Sequence, residues 1–170
     1  STQGYSSAAS DVYKRQVLRS LMPQDVDTIF DYRNNEVCFR YQKGQAKDYA
    51  EIVKMIERRR ADVLSVEAPF MVAVVLKEKD EMIGEIVVKP KVDAIELGYT
   101  FSYKYHRHGY AFEALTVLID QLHRMAPDRA FISFVEPQNI ASMGLLRKLE
   151  YRDMDYVPEI ESQMFGKWTN

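Results

Sequence analysis

The nine residues HRHGYAFEA at positions 106–114 lead into a helix with no side chain to cap it. From Gly109 onward, Tyr110, Ala111, Ala114, Leu115, Leu118, Leu122 and Met125 recur at spacings of three and four, the apolar stripe of an amphipathic helix. Positions 106–108 hold none of the Ser, Thr, Asp or Asn that usually accept the first free backbone N–H groups. Several unpaired donors, with the positive end of the helix dipole behind them, then converge on one spot, and that is an anion site. Gly109 removes the Cβ that would block close approach, while Arg107 and, when protonated, His106 and His108 add positive charge. A water-capped helix end with Gly109 serving only the turn fits the same residues.

A second group follows in VEPQNIASMGLLRKLEY, residues 135–151. Asn139, after Pro137, suits a helix N-cap, and Ser142 falls in the first turn, where serine is often a local backbone partner. His106 and His108 stand two apart and His123 far down the helix, with no third ligand at recognisable spacing, so no metal site is expected.

The elements that carry these residues read as a mixed α/β chain. A short strand at 17–20 precedes helices at about 25–33 and 47–61. The period then changes to that of strands over 70–77, 82–89 and 94–103, an antiparallel meander with turns between. The helix from Gly109 ends at Pro127; 130–135 is a strand, 140–149 a short helix, and 151–156 and 162–167 are further strands. This order gives one domain with about four helices and a mixed, mostly antiparallel sheet of six to seven strands.

With 170 residues, 46% of them apolar, the chain is long enough for one sizeable core. A net charge of −2 gives no global attraction to nucleic acid or anionic membrane, so no DNA partner is expected. The single cysteine, Cys38, excludes an internal disulfide, and no apolar run approaches the length of a membrane span, which fits a cytoplasmic protein. Residues 1–16 are Ser- and Ala-rich without periodicity, and their DVYKRQ reads like translated sequencing-adaptor DNA. They are set aside as non-native or disordered, and the domain is expected over 17–170.

The segment IELGYTFSYKYHRHGYAFEAL, together with the later group, resembles the GNAT superfamily of acyl-CoA-dependent N-acyltransferases, in particular its ribosomal-protein N-terminal acetyltransferase branch. The likeness spans residues 17 to about 165. In the family, Gln or Arg, two residues, Gly, one residue, then Gly or Ala cradles the cofactor pyrophosphate; Gly109 and Ala111 occupy the last two places. Asn139, Ser142 and the Lys148–Leu149–Glu150–Tyr151 run match the later signature. Three places depart from it: His106 stands for Gln or Arg, Arg107 where the branch often has Gly, and Glu150 for the glycine of Lys-Leu-Gly-Phe. Leu146 also stands where many members carry a tyrosine that protonates the leaving thiolate.

The resemblance implies a GNAT fold splayed between its fourth and fifth strands, with acetyl-CoA as cosubstrate and an amine as acceptor. The phosphates fall to His106, Arg107, His108, Gly109, Tyr110 and Ala111, and the pantetheine arm to Phe101, Tyr103 and Asn139. The implied activity is acetyl transfer to a primary amine, a protein N-terminus or a small molecule, by direct attack in a ternary complex. Attack needs a base. The family position for it is Glu96, with Glu85 and Glu136 in reserve, and Ser142 assists the thiolate. The altered loop and absent tyrosine also fit a non-catalytic acyl-CoA sensor or interaction module. The acceptor entrance is expected at 32–44, and the chain as a monomer or homodimer.

Overall fold

The computed structural model describes residues 15–169, so the expectation for residues 1–14 lies outside it. Seven strands form one sheet in the order β1-β2-β3-β4-β5-β7-β6, from β1 (Gln16–Arg19), β2 (Phe70–Leu76), β3 (Glu81–Pro90), β4 (Ala94–Phe101), β5 (Ala130–Val135), β6 (Arg152–Val157) and β7 (Ser162–Lys167). The helices are α1 (Val26–Arg33), α2 (Glu36–Phe39), α3 (Tyr49–Arg59), α4 (Tyr110–Met125) and α5 (Ile140–Lys148). The expected elements are present, with strand β1 starting one residue earlier, at Gln16, which pairs with Leu76. The one-turn helix α2 was not expected. Four residues are too few to show a period, and its signal is the Asn35 N-cap, whose side chain accepts from Val37 N at 3.0 Å.

Strand alternation divides the core in two. On one face α4 buries Ala114, Leu115, Val117, Leu118, Ile119 and Leu122 against Phe70, Ile86, Ile95 and Phe131. On the other, Ile29 of α1 and Ile52 and Ile56 of α3 pack against Met71, Ala73 and Met82. Each large side chain so buried contributes roughly 1.5–3 kcal/mol before the cost of ordering it. No helix among the described residues is long and apolar enough to cross a membrane.

The meander is antiparallel through β4, and β4 then pairs with β5 in parallel over three positions only, Ala94↔Ala130, Ile95↔Phe131 and Glu96↔Ile132. Beyond Glu96 the strands diverge. Ser133 Oγ donates to Leu97 O at 2.9 Å where they part, and β5 continues alongside β7 instead. The result is a fork in the middle of the sheet, with β4 residues 97–101 on one arm and β5 residues 133–135 on the other. Phe101, on the β4 arm, lies over Gly84, where a Cβ would come within 2.5 Å of the ring, so only glycine admits this packing.

Candidate active site

A cavity of about 560 Å³ fills the fork, within the range of small-molecule sites. Its walls come from β4 (Leu97 to Phe101), the loop into α4, the first turn of α4, the end of β5 and the first turn of α5, with the α2 region closing one side.

The loop into α4 has the geometry the sequence suggested. Gly109 precedes the helix at φ +78° with no side-chain cap. Among the described residues no side chain or outside carbonyl accepts from the N–H groups of Tyr110, Ala111 or Phe112. A Cβ on Gly109 would meet only the Arg15 guanidinium at 3.7 Å, so the space in front of these donors is open. Two positions away, Arg107 holds φ +68°, the left-handed conformation a glycine adopts at no steric cost.

His106 Nε2 lies 2.8 Å from the Phe101 carbonyl. A carbonyl only accepts, so the ring carries its proton on Nε2. Cys38 Sγ donates to the same oxygen at 3.4 Å, and burial pushes its thiol above the ordinary range. Gln42 Nε2 donates to Tyr99 O at 3.2 Å. Leu97, Tyr99 and Phe101 thus turn their carbonyls toward the fork, and in an extended strand each N–H points to the same edge as its own carbonyl. The N–H groups of Tyr99 and Phe101 therefore face the cavity.

Across the fork, Asn139 caps α5, its Oδ1 accepting from Ser142 N at 3.2 Å. Ser142 Oγ lies 2.7 Å from the Tyr99 hydroxyl. Leu146, one turn further, is 1% exposed and belongs to the core. The helix ends as a Schellman motif, with Glu150 N donating to Arg147 O and Tyr151 N to Leu146 O, both at 2.9 Å. Glu150 takes the left-handed position at φ +70°, where the family signature has glycine.

Of the residues singled out from sequence, Phe101, His106, Arg107, Gly109, Tyr110, Ala111, Asn139 and Ser142 line this one cavity. Glu96, Tyr103 and His108 do not. Glu96 belongs to the last paired position below the fork and faces Lys91 at 3.6 Å. Tyr103 lies past the end of β4 and turns its hydroxyl to Asp31 at 3.3 Å. His108 packs its ring edge-on against Tyr110, with centroids 5.7 Å apart. Of the reserve carboxylates, Glu85 is 1% exposed, bridged to Arg33 Nη2 at 2.7 Å and to the Tyr32 hydroxyl at 2.6 Å. Burial first, and then the Glu85 carboxylate, push the Tyr32 phenol well above its ordinary value. Glu136 lines the cavity. Its carboxylate has no hydrogen-bond or ion-pair partner among the described residues.

Sequence reasoning missed Tyr99, although alternation along β4 puts it on the face of Leu97 and Phe101. Cys38 and Gln42 fall inside the 32–44 segment expected at the acceptor entrance, but their hydrogen bonds to the β4 carbonyls come from tertiary packing, which leaves no signal in the sequence. Among the described residues no group of three His, Cys, Asp or Glu is placed to hold a metal ion.

An open fork beside an uncapped helix, with N–H donors on both, defines a site for an extended ligand with an anionic end. The family model for the acetyltransferase (GNAT) domain matches residues 15–152, and this chain belongs to that family. Over 141 residues it is 21% identical to the uncharacterised N-acetyltransferase YnaD of Bacillus subtilis (strain 168), covering 82% of this chain and 80% of that one. Its fold is similar to that of the Salmonella typhimurium acetyl transferase that modifies the N-terminal serine of the 50S ribosomal subunit protein L7/L12, at TM-score 0.77, 15% identity and coverage of 94% and 98%. It is equally similar to RimL, the ribosomal L7/L12 alpha-N-protein acetyltransferase, in complex with coenzyme A, at TM-score 0.77, 15% identity and coverage of 92% and 95%.

Proposed function

We propose that this protein transfers the acetyl group of acetyl-CoA to a primary amine by direct attack in a ternary complex, with its catalytic domain over residues 17–170. The observation that carries the reading is the conjunction of the fork with the uncapped start of α4: one cavity offers strand N–H groups to an extended arm and helix N–H groups to a pyrophosphate.

In this reading the N–H groups of Tyr110 and Ala111, opened to close approach by Gly109, hold the phosphates, and Arg107 adds its charge. His106 braces the strand end through Phe101 O, while His108, packed on Tyr110, stays outside the cavity. Phe101 N–H polarises the thioester carbonyl, an oxyanion-hole role of the kind worth about 3 kcal/mol elsewhere. Asn139 orients the facing helix turn, and Ser142 presents its hydroxyl to the leaving sulfur. Tyr103 makes no direct contact.

The base is assigned to Glu136. The register Glu96↔Ile132 puts Glu96, Gly98 and Thr100 on the same face as Ile132 and Phe134, the face away from α4. Glu136 lines the cavity and acts directly, whereas Glu96 reaches an amine there only through water. The acceptor enters past Cys38, Arg40, Tyr41 and Gln42, which close that side.

The test is free CoA release from acetyl-CoA across a panel of amines. N-terminal peptides come first, because neighbours sharing this fold modify a protein N-terminus; polyamines, amino acids and antibiotic amines follow. Acceptor-dependent release with an amide product is expected. Tight CoA binding with no release for any amine would make the protein a sensor instead.

A further inference from the structure

The Tyr99 hydroxyl and Ser142 Oγ meet at 2.7 Å across the fork, one from the middle of β4 and the other from the first turn of α5. Both line the cavity. Ser142 is fixed at its backbone by the Asn139 cap. Tyr99 is fixed by its place in a paired strand and by the neighbouring Phe101 ring, with centroids 6.4 Å apart. A phenol is the stronger acid of the two hydroxyls and the poorer acceptor, so Tyr99 donates and Ser142 accepts. That leaves the hydrogen of Ser142 free to point elsewhere, and the open direction is the cavity.

We propose that Tyr99 is a positioning residue that aims the Ser142 hydroxyl at the sulfur of CoA. The inference rests on the acetyl-CoA reading of the site. As the amine nitrogen bonds to the acetyl carbon, the C–S bond breaks and sulfur keeps the electron pair. The nitrogen loses its proton to the base carboxylate, and the sulfur departs as a thiolate that accepts a hydrogen bond from Ser142. Leu146, one turn further along α5, is apolar and buried in the core, so it offers the sulfur no donor. Burial also pushes the Tyr99 phenol up to about 12, with the Ser142 bond pulling weakly the other way, so Tyr99 stays a donor at any working pH.

The thiolate of bound CoA reports this directly through its ultraviolet absorbance during a pH titration. Tyr99→Phe should bind CoA within about threefold of the parent in calorimetry, yet raise the bound thiol pKa by about 0.5–1 unit, the shift a lost hydrogen bond to one charge state produces. Ser142→Ala should raise it equally, and the double variant should add nothing further. In turnover, kcat should fall roughly three- to tenfold for both single variants with KM for acetyl-CoA unchanged. A bound thiol pKa identical in the parent and Tyr99→Phe overturns the proposal. So does a double variant that exceeds Ser142→Ala. If the parent itself binds no CoA, calorimetry shows that before any titration, and the acetyl-CoA reading falls first.

Discussion

Arg107 and Gly109, two residues apart, both hold left-handed backbone, at φ +68° and +78°. At Gly109 this is free of steric cost; at Arg107 it costs roughly 1–2 kcal/mol, partly offset by the lower chain entropy of a non-glycine residue. Arg107→Gly should therefore raise stability by up to about 1 kcal/mol. It should also weaken CoA binding, because Arg107 lines the cavity and the change removes its positive charge. Urea unfolding and calorimetry on the same variant read the two opposite changes.

Gly109→Val should lower CoA affinity at least tenfold, about 1.4 kcal/mol or more. The nearest atom to a new Cβ is 3.7 Å away, so the variant meets backbone strain but no packing clash and should still fold. Its circular dichroism should match the parent while calorimetry shows the loss. Parent-like affinity would put the phosphates elsewhere.

Glu150→Gly isolates the second left-handed departure. The residue closes a Schellman motif whose two hydrogen bonds are already present, and the change should keep them while relieving strain. Stability should rise by about 0.5–1 kcal/mol with no change in CoA affinity, since Glu150 does not line the cavity.

These positions mark how far the sequence could be read. Apolar periodicity was enough for the meander and for α4, whose stripe is buried from Ala114 to Leu122, while Tyr110 and Ala111 line the cavity and Met125 at its end is exposed. The resemblance supplied the fork, and the two glycine departures, Arg107 and Glu150, were visible as mismatches before any backbone angle was known. What the sequence could not tell is where β4 and β5 stop pairing. That boundary falls just after Glu96, and it separates a strand carboxylate beside Lys91 from the residues that line the cavity. The Tyr99–Ser142 contact depends on the same boundary, because only diverging strands let α5 approach the side of β4.

The carboxylates should part company by variant. Glu136→Gln should cut turnover by roughly 100-fold with CoA binding retained, the usual size of a general-base contribution. Glu96→Gln should cost less than about tenfold if it acts through water. Glu85→Gln should instead cost stability, about 3–5 kcal/mol, because it leaves the buried Arg33 without its counter-charge. Steady-state kinetics with urea unfolding on all three separates chemistry from folding. A Glu96 defect larger than that of Glu136 would move the base to β4.

Alkaline pH should loosen the wall of the cavity at Tyr105. Its hydroxyl donates to the Glu81 carboxylate, and that hydrogen bond, followed by burial, pushes the phenol up to about 12. The folded state thus holds the proton more tightly than the unfolded chain, whose phenols lose it near pH 10. A group with its folded pKa raised contributes stability that is fully present below the unfolded value and is lost as pH rises through the folded one. The window is therefore about pH 10 to 12, and stability should fall across it. Tyr105→Phe removes this contribution: it should be less stable than the parent at pH 9 and lose less between pH 9 and 11. Tyr105 also lines the cavity and packs edge-on against Tyr110, with centroids 6.1 Å apart, so CoA affinity should weaken over the same window in the parent. Equal slopes of stability against pH for parent and variant would assign the alkaline loss to the buried phenols Tyr32, Tyr99 and Tyr151, all raised by burial.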